Sequence, residues 1–296
     1  MTIARTITPL MSNMPRCILG EGPHVDGDNN RLLWVDIEGK AVHIYFFASQ
    51  HHTAIPTPTR VGFAVLAGDD SIIAGLDDGI YRYHDGTWNL LDGCNTDARN
   101  RFNDGKTSPD GRYLFAGTMN LGTGVDGKRE PTGAFYRMDT HGHVTQLRQG
   151  VFTSNGIGWS PDQKTMYYID TGLRKIMQFD YHVVTGTPSH ERDFATGKRF
   201  DGLCVSDDGH ILVAIWGEGT VEIYTPDGRL AHSIALPAPQ TTSVALGGRS
   251  GNTLYVTSAS QLSEAELTAH PLAGQVFVVE GLPYHAQKAH KFKWQA

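Results

Sequence analysis

The chain repeats itself. A turn rich in Gly, Asp and Asn runs at once into a short β-branched and aromatic stretch at six places: Asp26–Asp36 (DGDNNRLLWVD), Ala67–Gly75 (AGDDSIIAG), Ser108–Gly117 (SPDGRYLFAG), Ser160–Asp170 (SPDQKTMYYID), Ser206–Ile215 (SDDGHILVAI) and Gly247–Thr257 (GGRSGNTLYVT). Such turn residues tolerate positive φ and hydrogen-bond their own backbone, and the runs after them are good strand formers. Nearly every copy is followed by a second apolar alternation, KAVHIYFF, GIYRYH, GAFYRMD, RKIMQFD, GTVEIYTP and GQVFVVEG, so each unit holds several strands and no convincing helix. A period of roughly 40 to 50 residues with about four strands per unit is the pattern of propeller blades. A β-sandwich made of similar hairpins has no reason to repeat one turn at nearly constant spacing. The expectation is an all-β, six-bladed β-propeller of four-stranded antiparallel blades around a central channel. It forms a single domain over residues 1–296, closed by pairing of the terminal strands within one blade.

The composition permits such a globule: hydrophobic residues make up 40% and charged residues 19% of the chain, with no long biased tract. A net charge of −6 without a Lys/Arg cluster argues against nucleic acid and anionic membrane surfaces as partners. Met1 to Cys17 contains scattered Ile, Leu and Met but no continuous apolar run behind a basic start. No later stretch approaches the ~18 apolar residues of a membrane span, so a cytoplasmic protein is expected. The cysteines, Cys17, Cys94 and Cys204, are odd in number, far apart and in no CxxC pair. They read as buried reduced thiols, with no disulfide framework and no thiolate zinc site.

In a propeller the innermost strand of each blade lines the channel, so equivalent positions from all blades converge on one ring. Counting back five residues from the first turn residue of each copy gives Glu21, Gly62, Asn103, Asn155, Asp201 and Thr242. Four of the six carry oxygen donors suited to a hard or borderline divalent cation, and only the fold brings them together. Their contexts are GEGP, RFNDG, SNGI and FDGL, and a following Gly permits a sharp turn or a close backbone approach. Any single Asn-Gly or Asp-Gly pair reads as a turn. Four in register read as a metal or polar binding site, because unpaired carboxylates in a closed channel are costly.

At these residues the sequence resembles the gluconolactonase, regucalcin and senescence-marker family of six-bladed propellers. The resemblance covers nearly the whole chain, through LGEGPHVD, NRFNDGKTSPDGRYLFAGTM, SNGIGWSPD followed by YYIDT, DGLCVSDDG, LPAPQTTSVALGG and PLAGQVF. It implies that Glu21, Asn155 and Asp201 coordinate one divalent cation, with Ca2+, Zn2+, Mn2+, Fe2+ and Mg2+ all compatible with such donors. It also implies that Arg101 and Asn103 contact the hydroxyls or carbonyl of a sugar lactone and that Asp201 accepts and donates the proton. Some relatives place an acidic substrate-binding residue two positions after the Met of AGTM, where this chain has Leu121, so hydroxyl recognition should differ and a five-carbon or shortened sugar lactone is the first expectation.

The expected reaction is hydrolysis of a pentono- or hexonolactone to the aldonic acid by a monomer or weak homo-oligomer. Two other readings stay open: a broader esterase or organophosphate hydrolase, and a non-catalytic calcium-binding propeller whose work is done on exposed loops. Arg101 separates them, having little use in a purely structural cation site. His51-His52 and His141/His143 look like ligands but read as exposed residues in turn-like loops, and Asp104 reads as structural. No Gly-rich phosphate loop, GxSxG elbow or HExxH helix is present.

Overall fold

The structure is a computed structural model that describes residues 6–122 and 130–295. After β1 (Thr6–Pro9), blade one holds β2 (Gly20–Asp26), β3 (Arg31–Asp36), β4 (Ala41–Phe46) and β5 (His51–Pro56). Blade two holds β6 (Phe63–Leu66), β7 (Ile72–Gly75), β8 (Ile80–His84) and β9 (Thr87–Asp92), and blade three β10 (Asn100–Thr107), β11 (Tyr113–Asn120), β12 (Gly133–Asp139) and β13 (Val144–Val151). Blade four holds β14 (Ser154–Trp159), β15 (Thr165–Asp170), β16 (Lys175–His182) and β17 (Thr187–Thr196), and blade five β18 (Phe200–Val205), β19 (Ile211–Ile215), β20 (Thr220–Tyr224) and β21 (Leu230–Ala235). Blade six is β22 (Thr241–Gly247), β23 (Thr253–Ser258) and β24 (Phe277–Glu280), completed by β1 as its outer strand. All six sheets are four-stranded and antiparallel, so the propeller reading holds, including closure through the terminal strands. The one α-helix among the described residues is α1 (Glu264–Ala269).

Each repeated turn joins the first strand of a blade to the second. In three copies a serine hydroxyl donates to the aspartate two residues on, as Ser108 does to Asp110 at 2.7 Å and Ser160 to Asp162 at 2.6 Å. The same hydroxyl accepts the backbone N–H of Tyr113, Thr165 or His210. The fourth position of the turn, Asp70, Gly111, Gln163 or Gly209, has φ between 58° and 87°, which is why Gly, Asp and a polar residue recur there. The second apolar alternation of each unit becomes the third strand: β4, β8, β12, β16, β20 or β24.

Six apolar cores lie one at each junction between neighbouring blades, as where Phe102, Leu114 and Tyr136 of blade three meet Phe63 and Ile73 of blade two. The first strands touch in a closed ring, β2 to β6 to β10 to β14 to β18 to β22 and back to β2. Tail residues 285–295 cross the end of the channel where the repeated turns lie. The His285 carbonyl accepts from Asp207 N–H, Ala286 N–H donates to Gly251, Phe292 N–H to Leu66 and Lys293 N–H to Gly111. Gln287 donates its side-chain amide to the Trp159 and Val205 carbonyls. The channel residues singled out by the repeat lie toward the opposite end.

Candidate active site

Glu21, Asn155, Asp201 and Thr242 are each the second residue of an inner strand, and Asn103 lies in β10, which begins earlier. In these five blades the pairing with the second strand shifts at this level: between Glu21 and His24, Phe102 and Gly105, Asn155 and Ile157, Phe200 and Leu203, and Thr241 and Val244. A bulge bends the strand and re-aims its side chains, so a local irregularity sits at the site residues, in four of the five blades at the Gly of the motif. Blade two shows no such shift, and Gly62 has a different job. A Cβ there would stand 2.3 Å from the Phe102 carbonyl oxygen and 2.6 Å from that of Asn103, so the backbone of blade three occupies the space. Gly156 likewise lets Asn155 approach blade five, where a Cβ would meet the Asp201 carbonyl oxygen at 2.7 Å. Thr242 is spoken for, its hydroxyl 2.6 Å from the Gly20 carbonyl and 2.8 Å from Thr257 Oγ1.

The polar side chains form a chain across blades three, four and five. Arg101 Nη1 donates to Asn103 Oδ1 at 2.6 Å and to the Phe102 carbonyl at 2.8 Å. Asn103 Nδ2 donates to Asn155 Oδ1 and to the Ser154 carbonyl, both at 2.7 Å. Asn155 Nδ2 donates to Thr171 Oγ1 at 2.7 Å, and that hydroxyl donates to the Phe200 carbonyl next to Asp201. With its amide nitrogen fixed by Thr171, Asn155 keeps its oxygen on the side of Asn103, with one lone pair to spare.

Glu21 and Asp201 are joined to this chain by electrostatics. Asp201 is 4% exposed and its Oδ1 has no hydrogen-bond partner. Burial, then the charges of Glu21 and Asp104, push its carboxyl well above the usual range, against the pull of Arg199 and Arg101. Burial and the charge of Asp104 push Glu21 up to about 8, while the Gly22 N–H and Arg101 hold it down. Asp104 is itself raised by burial and lowered by Lys106. Three buried carboxyls, with Asp104 raising both Glu21 and Asp201, Glu21 raising Asp201, and one oxygen of Asp201 orphaned, make a pocket short of positive charge. A divalent cation fits that need and that oxygen-rich donor set.

Asp104 therefore belongs to the electrostatics of the site, and it stands in the β10 bulge. Position in the repeat also identifies residues that spacing from the turns overlooked. Leu121, Thr171 and Trp216 each follow the second strand of their blade, with backbone N–H groups bonded to Arg99, Thr153 and Arg199 carbonyls. Leu121 and Trp216 are half-buried, and the Trp216 ring packs against the core between blades one and two. Counting from the end of the second strand would have found this tier.

His141 and His143 are exposed in a turn, as expected. The expectation for His51-His52 needs correcting. Both lie in β5, which pairs with β4, and not in a loop; His51 is exposed as expected, whereas His52 is half-buried and stacks on His43. The three cysteines are unpaired, Cys17 and Cys204 buried and Cys94 half-buried.

Comparison with known proteins agrees with this fold. A family model described as SMP-30/Gluconolactonase/LRE-like region matches residues 19–260. Regucalcin of Gallus gallus is 34% identical over 89% of this chain and 91% of its own length. Pentonolactonase XacC of Haloferax volcanii is 34% identical over 82% of each chain. The crystal structure of a calcium-binding protein, regucalcin, from Agrobacterium tumefaciens superposes with a TM-score of 0.89 at 29% identity, covering 96% of each chain.

Proposed function

We propose that this chain, which belongs to the SMP-30/gluconolactonase/LRE-like family, is a lactonase that opens a sugar lactone to its aldonic acid, residues 1–296 acting as one domain. What carries the reading is the buried Asp201 with its orphaned oxygen, set beside Glu21 and the Arg101–Asn103–Asn155 chain. The pentonolactonase among the relatives supports a sugar ring as substrate.

Glu21, Asn155 and Asp201 would hold the cation, which supplies polarisation of a carbonyl oxygen and a more acidic water. Arg101, its guanidinium already fixed by Asn103 and the Phe102 carbonyl, keeps its planar donors pointed at substrate oxygens without having to order itself. Asn103 transmits that order to Asn155. Asp201 receives a proton from water as the water oxygen bonds to the carbonyl carbon, and returns it to the ring oxygen as the acyl–oxygen bond opens. Thr171 ties Asn155 to the strand carrying Asp201, so these two side chains keep their relative position.

The test is acid release from a panel of pentono- and hexonolactones beside unsubstituted butyrolactone, using metal-stripped protein supplied with calcium, zinc, manganese, iron or magnesium in turn. Sugar lactones should open faster, and Asp201→Asn should lower kcat by about a hundredfold or more while the protein still folds. Equal rates on butyrolactone would replace the sugar assignment with a general esterase. No acid release from any lactone with any cation would leave a calcium-binding propeller, the description carried by the Agrobacterium relative.

A further inference from the structure

Away from the channel residues, blade one buries a second set of donor atoms. Cys17 in the loop between β1 and β2, Asp36 at the end of β3 and His43 in β4 bring one ligand atom each within 4.8 Å of the others, and none of the three residues is more than 7% exposed. His43 Nδ1 lies 2.9 Å from His52 Nε2, and the Trp34, His43 and His52 rings stack at 5.0 and 5.2 Å. The nitrogen left over, His43 Nε2, is buried and has no hydrogen-bond partner. An imidazole oriented through one nitrogen with the other bare is the arrangement of a metal-bound histidine. Asp36 is oriented too: Oδ1 accepts from the Leu19 and Gly39 N–H groups and Oδ2 from Ile18 N–H. Oδ2 thus retains a lone pair.

Blade four is the internal control. Asp170 occupies the place of Asp36 and accepts from the Phe152, Thr153 and Gly172 N–H groups in the same way. Met177 pairs with Tyr168 where His43 pairs with Trp34, and Val151 stands four residues before Asn155 as Cys17 stands four before Glu21. Val151 and Met177 are fully buried in an ordinary apolar core. The aspartate therefore closes its loop without help from a thiol or an imidazole, and blade one carries both where packing alone asks for apolar side chains.

We propose that Cys17, Asp36 and His43 form a second metal site that binds a borderline-soft divalent ion of the zinc class. Binding forms a sulfur–metal bond and releases the Cys17 thiol proton to solvent. His43 binds as neutral imidazole, and one thiolate and one carboxylate cancel the ion's two charges, which makes the filled site neutral and suited to burial. Metal–ligand distances of about 2.0–2.3 Å would draw the three atoms together and leave a fourth tetrahedral position for water. The donors come from positions 17, 36 and 43, a spacing that matches no short metal motif, which is why the sequence alone reads Cys17 as an inert buried thiol.

The experiment loads the whole protein with cobalt(II), recording the near-ultraviolet thiolate-to-cobalt absorption, and counts bound zinc by atomic emission. The intact protein should show the band. Cys17→Ser should abolish it and lower the zinc count by one per chain, whereas Cys94→Ser and Cys204→Ser should keep it. The paired change Cys17→Val with His43→Met, which gives blade one the residues of blade four, should fold and lose both band and ion. Asp201→Asn should keep the band, which separates this site from the channel. No band with cobalt in excess, or a band that survives both Cys17 variants, overturns the proposal.

Discussion

Arg101, Asn103 and Asn155 are held to one another by hydrogen bonds of 2.6–2.7 Å, so each loses little further freedom when substrate arrives. Arg101→Ala should lower kcat/KM for a sugar lactone by about 10- to 100-fold, the loss of one charge-assisted hydrogen bond worth roughly 1–3 kcal/mol. Leu121→Glu adds an acceptor to the tier around the channel end and should shift the ratio of kcat/KM values toward lactones with an extra hydroxyl. A pentono- and hexonolactone series measured with both variants checks the pair. The carboxylates carry a pH dependence as well. Glu21 titrates near 4.5 when unfolded and near 8 when folded, and Asp201 is raised with it. Without cation, the folded protein then keeps protons that the unfolded chain has lost, so this contribution to stability is complete below about pH 4.5 and disappears as pH rises to about 8. At about 1.4 kcal/mol per unit the loss is a few kcal/mol. Urea unfolding of the metal-stripped protein should show stability falling across that window, and a divalent cation should raise the midpoint more at pH 8 than at pH 5. A cation effect independent of pH would place the ion elsewhere.

At the level of the strand, the bulges in five of the six inner strands and the glycine of the sixth serve one end: they set how close neighbouring blades come beside the site. Gly62 is the sharpest case because its missing Cβ makes room for two carbonyl groups of blade three, one of them that of Asn103. Backbone cannot step aside as a flexible side chain can. Gly62→Ala should therefore cost at least about 1–3 kcal/mol by overpacking, read as a lower urea midpoint. Because the strain falls on the strand that carries Arg101 and Asn103, KM should rise in the same variant even under conditions where it stays folded. A Gly62→Ala protein with parent stability would show that β10 can slide past blade two.

For the whole molecule, closure is the decisive event: β1 pairs with β24 in register from Thr6 opposite Glu280 to Pro9 opposite Phe277 and makes blade six from both ends of the chain. The tail from His285 to Gln295 ties the turns of the far end together. Deleting residues 1–9 would expose the edge of β24, and an unprotected edge is a template for pairing with other chains. The expected outcome is a lower Tm and concentration-dependent light scattering on warming, with lactone turnover retained at low temperature, since no site residue lies in β1. Unchanged scattering would mean that the tail closes the ring unaided.

The repeat in the sequence determined the architecture because turn chemistry and strand alternation are local, and six copies of one local rule leave few ways to close. Register counted from those turns also picked out Glu21, Asn103, Asn155 and Asp201, since equivalent positions in equivalent strands must face one channel. The tertiary structure decided everything that depends on neighbours from another blade. It alone shows that Gly62 yields its place to blade three, that Thr242 is used up in bonding Gly20 and Thr257, and that Asp104 shares the field of Glu21 and Asp201. Within blade one too, it alone joins Cys17, Asp36 and His43 into a cluster. Hydrogen bonds and charges act over a few ångströms of space, and blades adjacent in space place side by side residues far apart along the chain.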